Sequence, residues 1–358
     1  NATENFKLTY GLRLDGLFFD NQDLMRNNEI YNLTYVVDGK ERHIDTGKWP
    51  SSAITASPRV GFSWDVLGNN SLKVRGGTGL FSGRLPLVFF TNMPTNSGMV
   101  QYQAKLGETQ TIIPGYTGAF IEKSGKNYYD MNEFAGGLLK REELLAKLNS
   151  LGFPNTISPE DGTVPSEISA VDPKFKMPQV WKTSLAIDYN FPTSFPFSIS
   201  AEGIFNKTIN GVIIRDWSVN PVNGFARFNG VDNRPIFQNY KQTYEKNGKV
   251  SNLPNAYVLE NTNKGYGYSG TFTMNMRPVE GLSLMAAYTH TASKELTGMP
   301  GSNASSVLNY MGTIYGPNDP GLHNSQYVTP DRFVASITHS DKSGNHFSFI
   351  YETWRGGY

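Results

Sequence analysis

The stretch FKLTYGLRLD, residues 6–15, decides the fold because apolar and polar side chains alternate along its whole length. Alternation with a period of two is typical of a β-strand that has one apolar and one polar face. A strand of roughly 9–11 tilted residues is long enough to cross the hydrocarbon core of a membrane. The sequence therefore opens with a candidate membrane-crossing strand.

The same pattern recurs eight more times, and the connections between the stretches alternate between short and long. Short turns fall near positions 68, 194, 280 and 343, and long connections span about 18–56, 84–178, 218–265 and 293–329. Short periplasmic turns and long outer loops are typical of transmembrane β-barrels. The sequence predicts an all-β, antiparallel barrel wall of about nine strands. Because single-chain bacterial barrels have even strand numbers, we expect a portion of a larger barrel.

Composition excludes several other classes of protein. The chain has 358 residues, a net charge of +1 and no cysteine. The near-neutral charge gives no electrostatic footprint for nucleic acid, and the absence of cysteine excludes disulfides and thiolate metal sites. The mean hydropathy is −0.40. No apolar run approaches the roughly 18 residues of a spanning helix, so strands are the only candidates for crossing a membrane.

Four segments resemble a known family. They are PRVGFSWD (58–65), LKVRGGTGLFSGRLP (72–86), DPKFKMPQVWKT (172–183) and PDRFVAS (330–336). Together they are similar to barrel-strand segments of TonB-dependent outer-membrane receptors of the Oar-like type from Bacteroidetes. The resemblance implies a 22-stranded barrel closed by an N-terminal plug. Residues 1–358 would then be part of one barrel domain, with the plug and the TonB box outside this chain.

The resemblance also implies a function and partners. Such receptors sit in the outer membrane, in contact with the lipid bilayer, and import a scarce solute such as a chelate, a glycan or a peptide. TonB and its ExbB/ExbD motor supply energy through the plug, and some relatives carry a surface lipoprotein as a lid. The expected role of this segment is to form barrel wall and ligand-capturing loops, with no enzymatic activity and no cofactor.

Two long loops hold the candidate ligand contacts. Residues 84–178 include the apolar run 85–90 and a leucine-rich stretch near 138–150 with helical spacing, and packing of that helix is favoured over ligand contact. Residues 218–264 mix aromatic rings with polar side chains, as sugar, peptide and chelate sites do, although packing is again an alternative. The candidate contacts are Phe225, Phe228, Phe237, Tyr240, Tyr244 and Tyr257. The candidates on the polar, lumen-facing phase of the strands are Arg13, Lys73, Arg75, Glu202 and Arg277.

Motifs of catalysis and metal binding are not supported. Residues 265–270 match G-x-G-x-x-G, but they open a strand instead of joining a strand to a helix. The five histidines show no metal-binding spacing, and no catalytic residue is assigned. Two alternatives to transport remain: an outer-membrane barrel enzyme of lipase or protease type, with His290 near the outer rim, and a soluble carbohydrate-binding β-sandwich.

Overall fold

The alternating stretches form nine long strands that lie side by side in one antiparallel sheet. The computed structural model describes residues 3–20, 24–99, 120–123, 126–129, 146, 149, 156–220, 225–237, 240–312, 315–316 and 318–357. In chain order the elements are β1 (Phe6–Leu17), α1 (Asn28–Tyr31), β2 (Tyr35–Val37), β3 (Lys40–Arg42), β4 (Ala53–Asp65), β5 (Leu72–Ser82), α2 (Val88–Thr95), β6 (Phe120–Lys123), β7 (Lys126–Tyr129), a 3-10 turn (Pro159–Asp161), β8 (Glu167–Val171), β9 (Gln179–Asn190), β10 (Phe197–Asp216), β11 (Ala226–Arg227), β12 (Pro235–Ile236), β13 (Thr243–Lys246), β14 (Lys249–Asn252), β15 (Asn255–Thr262), β16 (Tyr266–Met276), β17 (Leu282–Glu295), α3 (Ala304–Tyr310), β18 (His323–Asn324), β19 (Asp331–Ser340) and β20 (His346–Trp354).

The strand order follows the chain, β1-β4-β5-β9-β10-β16-β17-β19-β20, so each long strand pairs with its predecessor. The four short turns lie at one end of the sheet and the four long connections at the other. This arrangement confirms the predicted alternation of short turns and long loops. The two edges of the sheet are β1 and β20, which do not pair with each other among the described residues.

One face of the sheet exposes large apolar side chains. Tyr10 is 83% exposed and Leu12 65% exposed, although both lie in the middle of a regular strand. The register places Tyr10 opposite Val60 and Leu8 opposite Phe62, so apolar residues adjoin across strands. The polar phase, with Arg13, Arg75 and Glu202, occupies the other face. An apolar exterior is unfavourable in water and favourable in lipid, so the apolar face is the bilayer side.

The glycine-rich segment 76–79 lies inside the regular strand β5. A Cβ at Gly76 would stand 3.0 Å from the Phe62 ring and 2.7 Å from the Ser184 carbonyl oxygen. The missing side chain therefore lets neighbouring strand groups approach closely, which is a common reason for glycine within a strand.

The buried core lies in the long connections and not in the barrel wall. We call this layer the cap: residues 24–52, 83–99, 156–178, 211–220, 240–264 and 296–312. Its first cluster joins three connections and consists of Ile30, Leu33, Tyr35, Val37, Ile44, Ile168, Ala170, Trp217, Leu253, Ala256 and Val258. Its second cluster draws on the second, third and fourth connections and consists of Leu85, Phe89, Phe90, Met93, Val171, Phe175, Ile214, Tyr257, Leu259, Ala304 and Val307. The long connections thus pack on one another and share cores.

A small mixed sheet links the cap to the wall. The register of β10 shifts between Thr208 and Asn210, and beyond this bulge the strand continues to Asp216. Residues 211–216 pair with the antiparallel β15, and β15 pairs in parallel with β8. Because β10 belongs to both sheets, the barrel wall directly positions the side chains of the cap.

The apolar run 85–90 leads into α2, and its rings are buried. Phe90 is 3% exposed. Its ring centroid lies 5.4 Å from that of Phe19 and 5.6 Å from that of Phe175. The stretch 138–150 lies outside the described residues apart from 146 and 149, so the helix expected there stays a prediction. In the described part of the chain, no helix has the length and apolarity needed to span a membrane.

Candidate functional site

A cavity of about 870 Å³ lies beside the cap, between the first, third and fourth long connections. Its apolar wall includes Ile213, Val219, Phe225 and Leu296. The charged side chains on its wall are Asp38, Arg215, Asp216, Arg227, Glu260, Lys264 and Asp319. Ligand pockets typically have volumes of roughly 300–1,000 Å³ and combine apolar walls with a few placed polar groups. The cavity is therefore the candidate functional site.

Arg215 is the central charged group of the cavity. It lies in the part of β10 that belongs to the cap, and its side chain reaches the tip of the β2–β3 hairpin. Its Nη1 donates to Asp38 Oδ2 at 2.9 Å, and its Nη2 donates to Asp38 Oδ1 at 2.8 Å. Two parallel bonds of this kind match the planar guanidinium to a carboxylate. The Arg215 hydrogen bonds hold the pKa of Asp38 below its ordinary value.

Glu260 supports Arg215 from the neighbouring strand β15. Its Oε2 accepts from Arg215 Nη1 at 3.2 Å, and its Oε1 accepts from the Trp217 indole Nε1 at 2.8 Å. The Glu260 side chain is 9% exposed. Burial raises the pKa of Glu260, because the charged form loses hydration, while Arg215 and Trp217 act in the opposite direction. Arg215 is thus held by a buried carboxylate on one side and by an accessible one on the other.

The accessible carboxylate sits on a tight turn. Asp38 and Gly39 have φ angles of 52° and 73°, both in the left-handed region. Two such residues between paired strands form the kind of turn that suits a two-residue hairpin. The Asp38 side chain is 61% exposed, against 23% for Arg215. The hairpin tip therefore covers part of the cavity through a partly solvated ion pair.

Asp216 and Asn318 form another part of the cavity wall and are joined by hydrogen bonds. Asn318 Oδ1 accepts from the Asp216 backbone N–H at 2.8 Å, and Asn318 Nδ2 donates to the Asp216 carbonyl oxygen at 2.7 Å. The buried Asp216 carboxylate accepts the N–H groups of Ser218 and Ala256, each at 2.9 Å. The bonds of Asn318 connect the fourth connection to the end of β10, and those of the Asp216 carboxylate continue into the third connection.

The structure distributes the six predicted ligand contacts over different environments. Phe225 lines the cavity, and its ring contacts Phe237 at a centroid distance of 5.1 Å. Phe237 in turn lies 6.1 Å from the Tyr240 ring. Phe228 is 63% exposed and does not line the cavity. Tyr244 packs on the first cluster and Tyr257 belongs to the second. Ligand contact by these residues stays a prediction, with Phe225 the best placed.

The predicted lumen charges lie on the polar face of the wall. Arg13 pairs with Asp15 at 2.7 Å. Arg75 bonds Asp188 at 2.9 Å and lies 3.6 Å from Glu202, which links three adjacent strands.

The other two predicted lumen residues lie nearer the short turns. Lys73 stands opposite Asp188 in the register of β5 and β9. Arg277 lines a smaller hollow of about 490 Å³ near the short turns. A role of the five lumen charges in solute passage stays a prediction.

His290 does not form a hydrolytic site with the described residues. Its Nδ1 lies 2.9 Å from Asp331 Oδ1, which also accepts a bond from the Tyr288 hydroxyl at 2.7 Å. Among the residues described, no serine or threonine hydroxyl bonds the His290 ring. Nor does that part of the chain contain a group of three or more side chains arranged to hold a metal ion.

Comparison with known proteins identifies the family. The profile described as "Outer membrane beta barrel domain" matches residues 1–352. The chain belongs to this outer-membrane β-barrel family, and its place is the outer membrane. The search of curated proteins gave no match.

Solved structures of transporters resemble the chain at low identity. The FrpB iron transporter from Neisseria meningitidis is 12% identical, with a TM-score of 0.40, over 97% of this chain and 30% of that one. The copper transporter OprC is 10% identical, with a TM-score of 0.39, over 98% and 32%. The outer-membrane transporter YddB from Escherichia coli is 8% identical, with a TM-score of 0.39, over 84% and 29%. The chain thus spans about a third of the length of these transporters.

Sequence reasoning missed the charged centre of the cavity. Asp38, Arg215 and Glu260 lie far apart in the chain and match no motif. Two signals were present in the sequence. Asp38-Gly39 is a hairpin-turn dipeptide, and Arg215 interrupts the apolar run that precedes Trp217. Neither signal indicates that the two residues meet.

Proposed function

We propose that the chain is part of a TonB-dependent outer-membrane transporter of the Oar-like type, and that its cap captures the solute. The cavity of about 870 Å³ among three long connections carries this proposal. A cavity at the loop end of a barrel wall faces the outside, where a solute arrives first. The sequence resemblance to TonB-dependent receptors supports the coupling to transport.

In this proposal the plug and the TonB box lie outside the present chain. TonB and its ExbB/ExbD motor would act through that plug, and a surface lipoprotein would sit over the cap. The polar face around Arg75 and Glu202 would border the path of the solute or contact the plug. The imported solute is a chelate, a glycan or a peptide. An enzymatic role has less support, because no serine or threonine hydroxyl among the described residues bonds the His290 ring, although Asp331 holds that ring as it would in a catalytic triad.

Two aromatic substitutions in one loop test the capture role. We expect the protein purified from its native membrane to carry a small molecule that mass spectrometry detects. Phe225→Ala removes a ring from the cavity wall and should reduce the bound amount at least fivefold. Phe228→Ala is the matched control, because this exposed ring lies outside the cavity. Equal loss in both variants, or in neither, would contradict capture in the cavity.

The coupling to TonB needs a separate measurement. Uptake of the co-purified compound should stop in cells that lack TonB, while its binding to the purified protein stays unchanged. Uptake that continues without TonB would assign the chain to a passive barrel.

A further inference from the structure

We propose that Arg215 binds the carboxylate of an organic ligand with an apolar body, and that Asp38 occupies the Arg215 guanidinium as an internal competitor until the ligand displaces it. The proposal rests on the proposed function, since it names the chemistry of the solute that the cap captures. The bond pattern of Arg215, the exposure of Asp38 and the nature of the remaining wall support it.

The hydrogen-bond geometry of Arg215 already fits a carboxylate. Arg215 holds both oxygens of Asp38 at 2.8 and 2.9 Å, as a guanidinium holds any planar carboxylate. A ligand carboxylate in the same place would make the same two bonds. The exchange also keeps the charge balance, because one carboxylate replaces another beside the same cation.

The position of Arg215 does not depend on Asp38 alone. Glu260 holds Arg215 Nη1 at 3.2 Å, and Trp217 fixes Glu260 at 2.8 Å. Glu260 and Trp217 belong to the buried layer of the cap, with relative exposures of 7% and 3%. Loss of Asp38 would therefore leave a guanidinium that is still held and has free donors towards the cavity.

Asp38 is the exchangeable partner. It sits at the tip of a two-residue turn, and its side chain is 61% exposed. Because Asp38 is more than half exposed, water screens the attraction and the pair also orders two side chains, so it contributes less than a fully buried pair would. A ligand that adds apolar contact to the same two bonds gains more than Asp38 does.

The rest of the wall defines the body of the ligand. Ile213, Val219, Phe225 and Leu296 offer apolar contact. Lys264 also lines the cavity, and its ammonium has no ion-pair partner among the described residues. An aliphatic or aromatic carboxylate fits this wall. A second acidic group on the ligand could pair with the Lys264 ammonium.

Binding of 3-phenylpropionate and of its uncharged amide to the full-length protein in detergent tests the proposal by titration calorimetry. We expect the carboxylate to bind and the amide to bind at least tenfold more weakly. Asp38→Asn removes the competitor's charge and should tighten carboxylate binding about two- to fivefold. This factor corresponds to the free energy that partly exposed ion pairs contribute. Asp232→Asn is the matched control and should leave carboxylate binding unchanged, since it removes the same charge from an exposed ion pair in the third connection that does not line the cavity.

Substitutions at Arg215 complete the test. Arg215→Lys keeps a positive charge beside Glu260 but loses the two-bond fork, so carboxylate binding should weaken about tenfold. Native heat-modifiable migration on gels verifies folding of each variant. Equal binding of acid and amide, or unchanged or weaker binding in Asp38→Asn, would overturn the proposal. Loss of the natural small molecule in Phe225→Ala would still support capture in that case, so the two failures are distinguishable.

Discussion

Single residues in the cap have two kinds of role. Arg215 and Asp38 meet at an accessible ion pair, and their geometry suits exchange with a ligand. Asn27 and Asp216 are buried, and each satisfies backbone groups that are distant in the chain, Asn27 at Ser97 and Thr163 and Asp216 at Ala256. We expect substitutions of Arg215 and Asp38 to change ligand binding, and substitutions of Asn27 and Asp216 to change stability.

The Asp38–Arg215 pair gives the hairpin tip a pH dependence. The folded-state pKa of Asp38 lies below its unfolded value because Arg215 bonds the charged form. A lowered folded pKa contributes stability above the unfolded aspartate value of about 3.9, and this stability is lost as the pH falls through the folded pKa. We expect the protection factors of the amides of residues 36–39, which compare the observed exchange rate with the intrinsic rate at the same pH, to fall below about pH 4. In Asp38→Asn this loss of protection should be absent, and an unchanged profile would contradict the role of the pair.

Asn27 is expected to be a stability residue. Its Oδ1 accepts from the Ile30 N–H at 3.2 Å, and its Nδ2 donates to the carbonyl oxygens of Ser97 at 3.0 Å and Thr163 at 2.8 Å. Asn27→Ala removes a helix cap and leaves two buried acceptors without a donor. We expect the free energy of cap opening, measured by native-state hydrogen exchange, to fall by about 2–3 kcal/mol. Asn32→Ala, at an exposed position in the same segment, should change it by less than about 0.5 kcal/mol.

Strands and loops differ in how well the sequence predicts them. Period-two alternation predicted all nine long strands, because each strand has lipid on one face and polar surroundings on the other. The start of β4 was placed too late, since Ala53 to Pro58 alternate less clearly than Val60 to Trp64. The charges of the lumen face were predictable from the same phase, but their pairing across β5, β9 and β10 was not.

The cap elements were mostly beyond sequence reasoning. Their partners are distant in the chain, as in the pairing of β15 with residues 167–171. Local patterns contain no information on such contacts. The aromatic side chains of residues 218–264 were therefore interpreted as one set, although Phe225 lines the cavity while Tyr257 is buried in a cluster.

We expect helix α2 to anchor the cap through the buried ring of Phe90. Phe90 contacts the ring of Phe19 from the first long connection and the ring of Phe175 from a distant part of its own connection. Phe90→Ala should lower the free energy of cap opening by about 3–5 kcal/mol, because a buried ring leaves a cavity. Protease digestion of the cap should become correspondingly faster while the barrel wall stays resistant. Leu87→Ala is the control, since Leu87 is 66% exposed beside the same helix, and an equal effect of both changes would show that α2 does not anchor the cap.

At the scale of the whole molecule, the cap and the wall form one connected structure. β10 runs from the short-turn end of the wall into the cap, where its Arg215 bonds Asp38 at the hairpin tip. Farther down the same strand, Glu202 belongs to the Arg75–Asp188–Glu202 group, which links β5, β9 and β10 on the polar face. Displacement of Asp38 by a ligand would thus release the hairpin tip without breaking the wall.

β1 and β20 are the two open edges of the described sheet. Both expose backbone hydrogen-bonding groups, and Tyr10 and Phe349 are 83% and 67% exposed on them. Lipid cannot satisfy such groups, so a barrel in a membrane must close with further strands. We expect the native polypeptide that contains this chain of 39.8 kDa to have two to three times this mass, with plug peptides upstream. Intact-mass measurement of the denatured native protein, with terminal peptide mapping, checks this expectation. A native mass equal to that of the chain alone would contradict the 22-stranded barrel and require closure by a smaller barrel or by assembly of several copies.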